Sequence, residues 1–112
     1  MKANGVSLQM TLADTEAALA LAELLGNGPI SVSLRPYGGF EKVGSLPQAL
    51  PTSDRQVATA PGDVMLYQGN QISIFYDTNT WEYTPLGHIE GATAQSLLDA
   101  LGEGDVAMEL SL

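Results

Sequence analysis

Apolar and polar residues alternate along most of this chain, and helical spacing interrupts the alternation twice. Val6, Leu8, Met10 and Leu12 stand at period two and predict a first strand over 6–12. Asp14 then offers a helix N-cap, with Glu16 in the first turn, where the helix dipole favours a carboxylate. Ala17, Leu21 and Leu24 form an apolar stripe, broadened by Ala18 and Leu25. Gly26 suits the left-handed position that ends such a helix, and the chain is closed off by Pro29. Ile30, Val32 and Leu34 alternate with Ser31, Ser33 and Arg35, which predicts a half-buried strand. After a turn over 36–39, Phe40 to Val43 resumes an extended run. Residues 44–61 carry three prolines and read as a long loop over the body of the domain, the kind of segment that often holds function.

The run GDVMLYQGNQISIFYDTNTWEYTPLG, residues 62–87, is the densest in information. All the aromatic residues lie between Tyr37 and Tyr83, most of them inside this run. Gly69-Asn70 is a two-residue turn signal. It would pair Tyr67 with Ile72 and Met65 with Ile74. One face then carries Met65, Tyr67, Ile72, Ile74 and Tyr76, and the other Val64, Leu66, Ser73 and Phe75. Neither face is made for water, so the hairpin needs cover on both sides. A closed antiparallel barrel capped by helices supplies that cover and leaves no free sheet edge.

Downstream, Asp77 to Thr80 turns the chain, and Trp81 and Tyr83 lie on one face of a further strand. Thr93 can cap a second short helix in which Ala94, Leu97, Leu98 and Leu101 recur at helical spacing, ended by Gly102. Val106, Met108, Leu110 and Leu112 make the last strand. The order is β-α-β-β-loop-β-β-β-α-β in a single domain over 1–112, mainly β with two short helices.

Composition narrows the function classes. The chain has 112 residues, 45% of them apolar, which is one globular domain able to bury a core unaided. It contains no Cys, which removes disulfides, thiol nucleophiles and Cys-ligated metals. The net charge is −9 with four basic residues, Lys2, Arg35, Lys42 and Arg55, too few and too scattered to track phosphates. Nucleic acid and anionic membrane surfaces are therefore not expected as partners. No apolar stretch approaches the ~20 residues of a membrane span, and MKANGVSLQM has no signal-peptide core, so cytoplasmic residence is expected. His88 is the only imidazole, and no GxSxG elbow accompanies it. A single His cannot build a His-ligated metal site, the carboxylates show no EF-hand spacing, and the Gly pairs match no phosphate loop. No metal or cofactor is expected.

YGGFEKVGSLPQALP, PGDVMLYQGNQISIFYDTNTWEYTPLGHIEG and GEGDVAMELSL resemble the small bacterial and archaeal cyclophilin-like family, across nearly the whole chain. The resemblance implies a cyclophilin-like closed barrel of about eight antiparallel strands with two capping helices. True cyclophilins are prolyl isomerases that use a Phe-His-Arg strand, and that motif is absent here. Thr80 and Pro85 depart from the family pattern, which more often has Ser and a basic residue there.

Three readings of function stand open. The first is a binding module for a peptide or small apolar ligand, in a cleft lined by Tyr37, Phe40, Trp81 and Tyr83. Glu41, Lys42 and Asn79 would add polar contacts. Glu41 and Lys42 are sequence neighbours on a strand, so they face opposite ways and one of them points inward. Asn79 alternatively serves only as a left-handed turn residue before the aromatic strand. The second is an isomerase in which Arg35 donates to the substrate, since lowering an imide barrier needs no nucleophile. The third is a barrel that associates with a partner protein or with a second copy as a homodimer.

Overall fold

Ten strands and two helices make up the computed structural model, which describes residues 1–112. Strands β1 (Lys2–Ala3), β2 (Val6–Ser7) and β3 (Met10–Leu12) precede helix α1 (Glu16–Leu25). Then come β4 (Ile30–Tyr37), β5 (Glu41–Ser45), β6 (Arg55–Ala58), β7 (Asp63–Tyr67), β8 (Gln71–Phe75) and β9 (Thr80–Ile89). Helix α2 (Ala94–Leu101) and β10 (Val106–Leu110) complete the chain. All pairings are antiparallel, in the order β2-β1-β10-β4-β5-β8-β7-β9-β3, with β6 added on β9.

The sheet curls strongly without closing, so the domain is a half-barrel and not the closed barrel expected from the sequence. Residues 6–12 do not form one strand. Asn4 and Gly5, at φ +50° and +76°, turn β2 back onto β1 at one end of the sheet. Leu8 extends that pairing through reciprocal hydrogen bonds with Met1, and β3 then joins β9 at the other end. A closing strand would have to pair along its length with both ends, and here that stretch is divided between them. The long connection after β5 is also more structured than expected. It contains β6, and its Leu46 and Leu50 are buried in the main core.

Two strands that change partner produce the curl. Ile30 to Leu34 pair with β10, whereas Arg35 to Tyr37 pair with β5. The first half of β9 pairs with β6 and the second with β7 and β3, with a bulge in the β7 pairing near Pro85. Where β4 passes β5, a Cβ on Gly44 would lie 2.3 Å from the Ser33 carbonyl oxygen and 2.7 Å from Val32 Cγ1. Glycine is required there by close approach, not by dihedral angle.

Both helices are capped by threonine. The Thr15 hydroxyl accepts from Ala18 N, so the cap lies one residue after Asp14, and it donates to the Pro85 carbonyl at 2.8 Å. One hydroxyl thus caps the start of α1 and ties it to the β9 bulge. Gly26 is right-handed, at φ −63°. In α2, Thr93 and Ser96 form a reciprocal capping box.

The hairpin register differs by one residue from that expected. Tyr67 pairs with Gln71, Leu66 with Ile72 and Val64 with Ile74, around a three-residue loop of Gln68, Gly69 and Asn70. Gln68 and Gly69 both take positive φ, and the Gly69 and Asn70 carbonyls accept from Leu50 and Leu46. This register collects Val64, Leu66, Ile72 and Ile74 into the aliphatic core, with Ala17, Leu21, Leu97 and Leu101 from the helices. It collects Met65, Phe75 and Tyr83 into a second, aromatic cluster on the other face, flanked by Phe40, Val57 and Tyr67. Both faces are covered, as expected, but two separate layers cover them.

Gly44→Ala should lower unfolding stability by ~1–3 kcal/mol through overpacking at the β4 crossing. Gly39→Ala, whose Cβ would meet nothing within 4 Å, should stay within about 0.5 kcal/mol of the parent. Urea denaturation midpoints check both.

Candidate binding pocket

The face of the sheet opposite the aliphatic core is only partly filled, and the unfilled part is a cavity of about 450 Å³. Alternation places the residues around it. Arg35 and Tyr37 come from β4, and Glu41 and Val43 from β5. Ser73 and Gln71 on β8, and Tyr67 on β7, continue the floor. Trp81 and Tyr83 rise from the first half of β9, with Asn79 just before it and Phe40 just before β5.

The rings form a connected belt. Tyr37 meets Phe40 edge-on with centroids 6.3 Å apart, and Phe40 stacks on buried Phe75 at 6.2 Å. Phe75 meets Tyr83 at 5.2 Å, and Tyr83 meets Tyr67 at 6.0 Å, both edge-on. Tyr83 is buried, whereas Tyr37 and Trp81 remain 60% and 58% exposed. A rigid inner belt therefore carries two ring systems open to solvent at its mouth.

Asn79 does not take the left-handed conformation considered above. Its amide donates to the Tyr83 hydroxyl at 2.8 Å, while its backbone exchanges hydrogen bonds with Thr59. It positions the Tyr83 phenol. Burial pushes that phenol above its ordinary pKa, against the Asn79 hydrogen bond, and the nearby Glu41 charge adds to the rise.

Glu41 and Lys42 do face opposite ways, and both are buried. Glu41 lines the cavity. Burial raises its carboxyl above the usual carboxylate range, partly offset by a hydrogen bond from Ser73. It makes no ion pair, and the one close contact between a carboxylate and a basic side chain is His88–Asp63. Lys42 lies on the opposite face, away from the cavity, and its Nζ donates to the Gly104 carbonyl in the loop before β10. Burial lowers its pKa, with the Asp105 charge opposing. The polar cleft contact expected of Lys42 is thus made instead with the backbone.

Sequence reading did not place Tyr67, Gln71, Ser73 or Val43 at this cavity. The correct hairpin register would have found the first three, since it sets Tyr67, Gln71 and Ser73 on the face of Glu41. Arg35, singled out for a different chemistry, joins the same wall. His88 lies elsewhere. Its Nδ1 is 2.8 Å from Asp63 Oδ1, and no hydroxyl is hydrogen-bonded to the ring. The Thr11 hydroxyl across the strand donates to Glu90 instead.

The sequence profile of the cyclophilin-like family matches residues 1–111. The chain belongs to the cyclophilin-like family. No curated protein and no solved structure gives a match. In this cyclophilin-like chain the backbone at Pro85 has a structural role. The residue stands at the β9 bulge, and its carbonyl receives the α1 cap.

Glu41 sets a pH dependence of known sign. A carboxyl raised in the folded state binds its proton more tightly there than in the unfolded chain. That stabilisation is complete below the ordinary carboxyl value of 4.5 and is lost as pH rises through the raised value. Glu41→Gln should therefore gain stability relative to the parent as pH rises from about 4 to about 7. Parallel urea titrations across that range measure the difference. A parent that gains on the variant would contradict the assignment.

Proposed function

We propose that this cyclophilin-like domain is a binding module that takes a peptide or small apolar ligand in the aromatic cavity. The observation that carries the reading is the pairing of a preformed ring belt with two half-exposed rings, Tyr37 and Trp81, at its mouth. Exposed aromatics on a rigid support lose little conformational freedom on binding, and Trp and Tyr are frequent binding anchors. The volume lies within the ordinary range for small-molecule sites.

Arg35 favours a second reading, prolyl isomerisation, because its side chain lines the same cavity beside the apolar rings. A guanidinium aimed at an imide could stabilise the twisted amide without covalent chemistry. The binding reading is preferred because it needs only the surfaces described, whereas Arg35 lies on the exposed rim.

Trp81 is the sole tryptophan, so its fluorescence should respond saturably when peptides and small aromatic amides are titrated in. Trp81→Ala should weaken the best of these ligands by tenfold or more in calorimetry. It should change stability by no more than about 0.5 kcal/mol. Loss of stability together with binding would make Trp81 structural. In NMR exchange measurements, an X–Pro peptide should keep its uncatalysed cis/trans rate. Acceleration abolished by Arg35→Ala would install the enzymatic reading instead.

A further inference from the structure

Glu41 is the one buried charged side chain on the cavity wall. Taking a carboxylate out of water is costly unless a counter-charge or several hydrogen bonds replace the solvent. Lys42, its neighbour, has found a carbonyl partner, and Asp63 has the His88 imidazole. Glu41 has no ion-pair partner, and Ser73 is the one polar neighbour that favours its charged form. The same cavity is lined by the rings of Tyr37, Phe40, Trp81 and Tyr83. Aromatic walls attract cations through the ring quadrupole, and the attraction grows when water is excluded. We propose that the cavity recognises an organic cation, an ammonium or guanidinium group on the ligand, which Glu41 neutralises and the surrounding rings enclose.

The proposal rests on the binding reading and specifies its ligand class. Arg35 is the evident objection, being a cation on the same wall. The two charges act through different media. Arg35 is exposed, so water and salt screen its repulsion, while Glu41 is buried and its attraction is weakened far less. The net charge of −9 further favours the approach of cations over anions. The cation could belong to a free amine or to a Lys or Arg side chain of a peptide. The chemistry at Glu41 is the same in both.

The test is a Trp81 fluorescence titration at matched ionic strength with four probes. Choline and its neutral isostere 3,3-dimethylbutan-1-ol differ only in charge at the quaternary centre. N-acetyl-arginine methylamide and N-acetyl-norleucine methylamide form the peptide-like pair. In each pair that binds, the cation should bind at least about tenfold tighter than its neutral partner, and Glu41→Gln should remove that preference. The pair showing the larger preference identifies the source of the cation. Neutral probes that bind as well as the cations, or a preference that survives Glu41→Gln, would overturn the proposal and leave the binding reading standing. Silence to all four probes and to the apolar ligands above would remove both. If Glu41→Gln does not fold, the comparison of charged and neutral probes in the parent still decides.

Discussion

Tyr67 pairs with Gln71 across a three-residue loop, and the two faces of the domain follow from that pairing. It sends four aliphatic side chains of the hairpin to one side of the sheet and Met65, Tyr67, Ser73 and Phe75 to the other. A slip of one residue in either strand would mix the two sets, because side chains alternate with period two. The aliphatic side takes both helices and closes as an ordinary core. The aromatic side has no helix to cover it. It is covered by its own rings and by β6, incompletely, and the gap is the cavity. The loop is held in place from outside the hairpin, by Leu46 and Leu50 donating to its carbonyls.

The same alternation explains how one strand buries two ionisable residues in succession. Glu41 and Lys42 enter different layers and meet different surroundings. Lys42 reaches the loop before β10 and donates a hydrogen bond to a backbone oxygen there, so its burial is compensated within the fold. Glu41 enters the aromatic layer, where no cation lies within ion-pair distance of it. Unpaired buried charge works against folding, and its place on the wall of the aromatic cavity is what the proposed recognition of a cation rests on. Asn79 belongs to the same arrangement, since it fixes the Tyr83 phenol beside Glu41.

Much of this was legible in the sequence. Period-two and helical spacing located both helices and nearly all the longer strands, and the Thr93 cap was visible as such. The doubly apolar hairpin correctly implied cover on both sides. Membership of the cyclophilin-like family follows from blocks spread along the whole chain. The aromatic residues and Glu41 were recognised as one group, and they do converge. The misplacements share a cause. A Gly-Asn pair signals a turn but does not count its residues, so the register was set one position out, and Tyr67, Gln71 and Ser73 were lost from the cavity. Alternation told that Glu41 and Lys42 part company, but not which of them faces the rings. β6 escaped notice because its short, polar sequence becomes a strand only when β9 lies beside it.

What the chain determines locally is its inventory of elements, its caps, and the burial of both hairpin faces, since these depend on neighbours within a few residues. Closure, register and the cavity were decided by tertiary structure. Residues 2–12 could have sealed a barrel. The turn at Asn4-Gly5 and the pull of β9 on Met10–Leu12 divide them instead. The cavity lies where β9 parts from β7 beyond its Pro85 bulge and its first half pairs with β6 instead. Such a gap depends on the distance between strands far apart in sequence, a quantity that no local pattern of residues encodes.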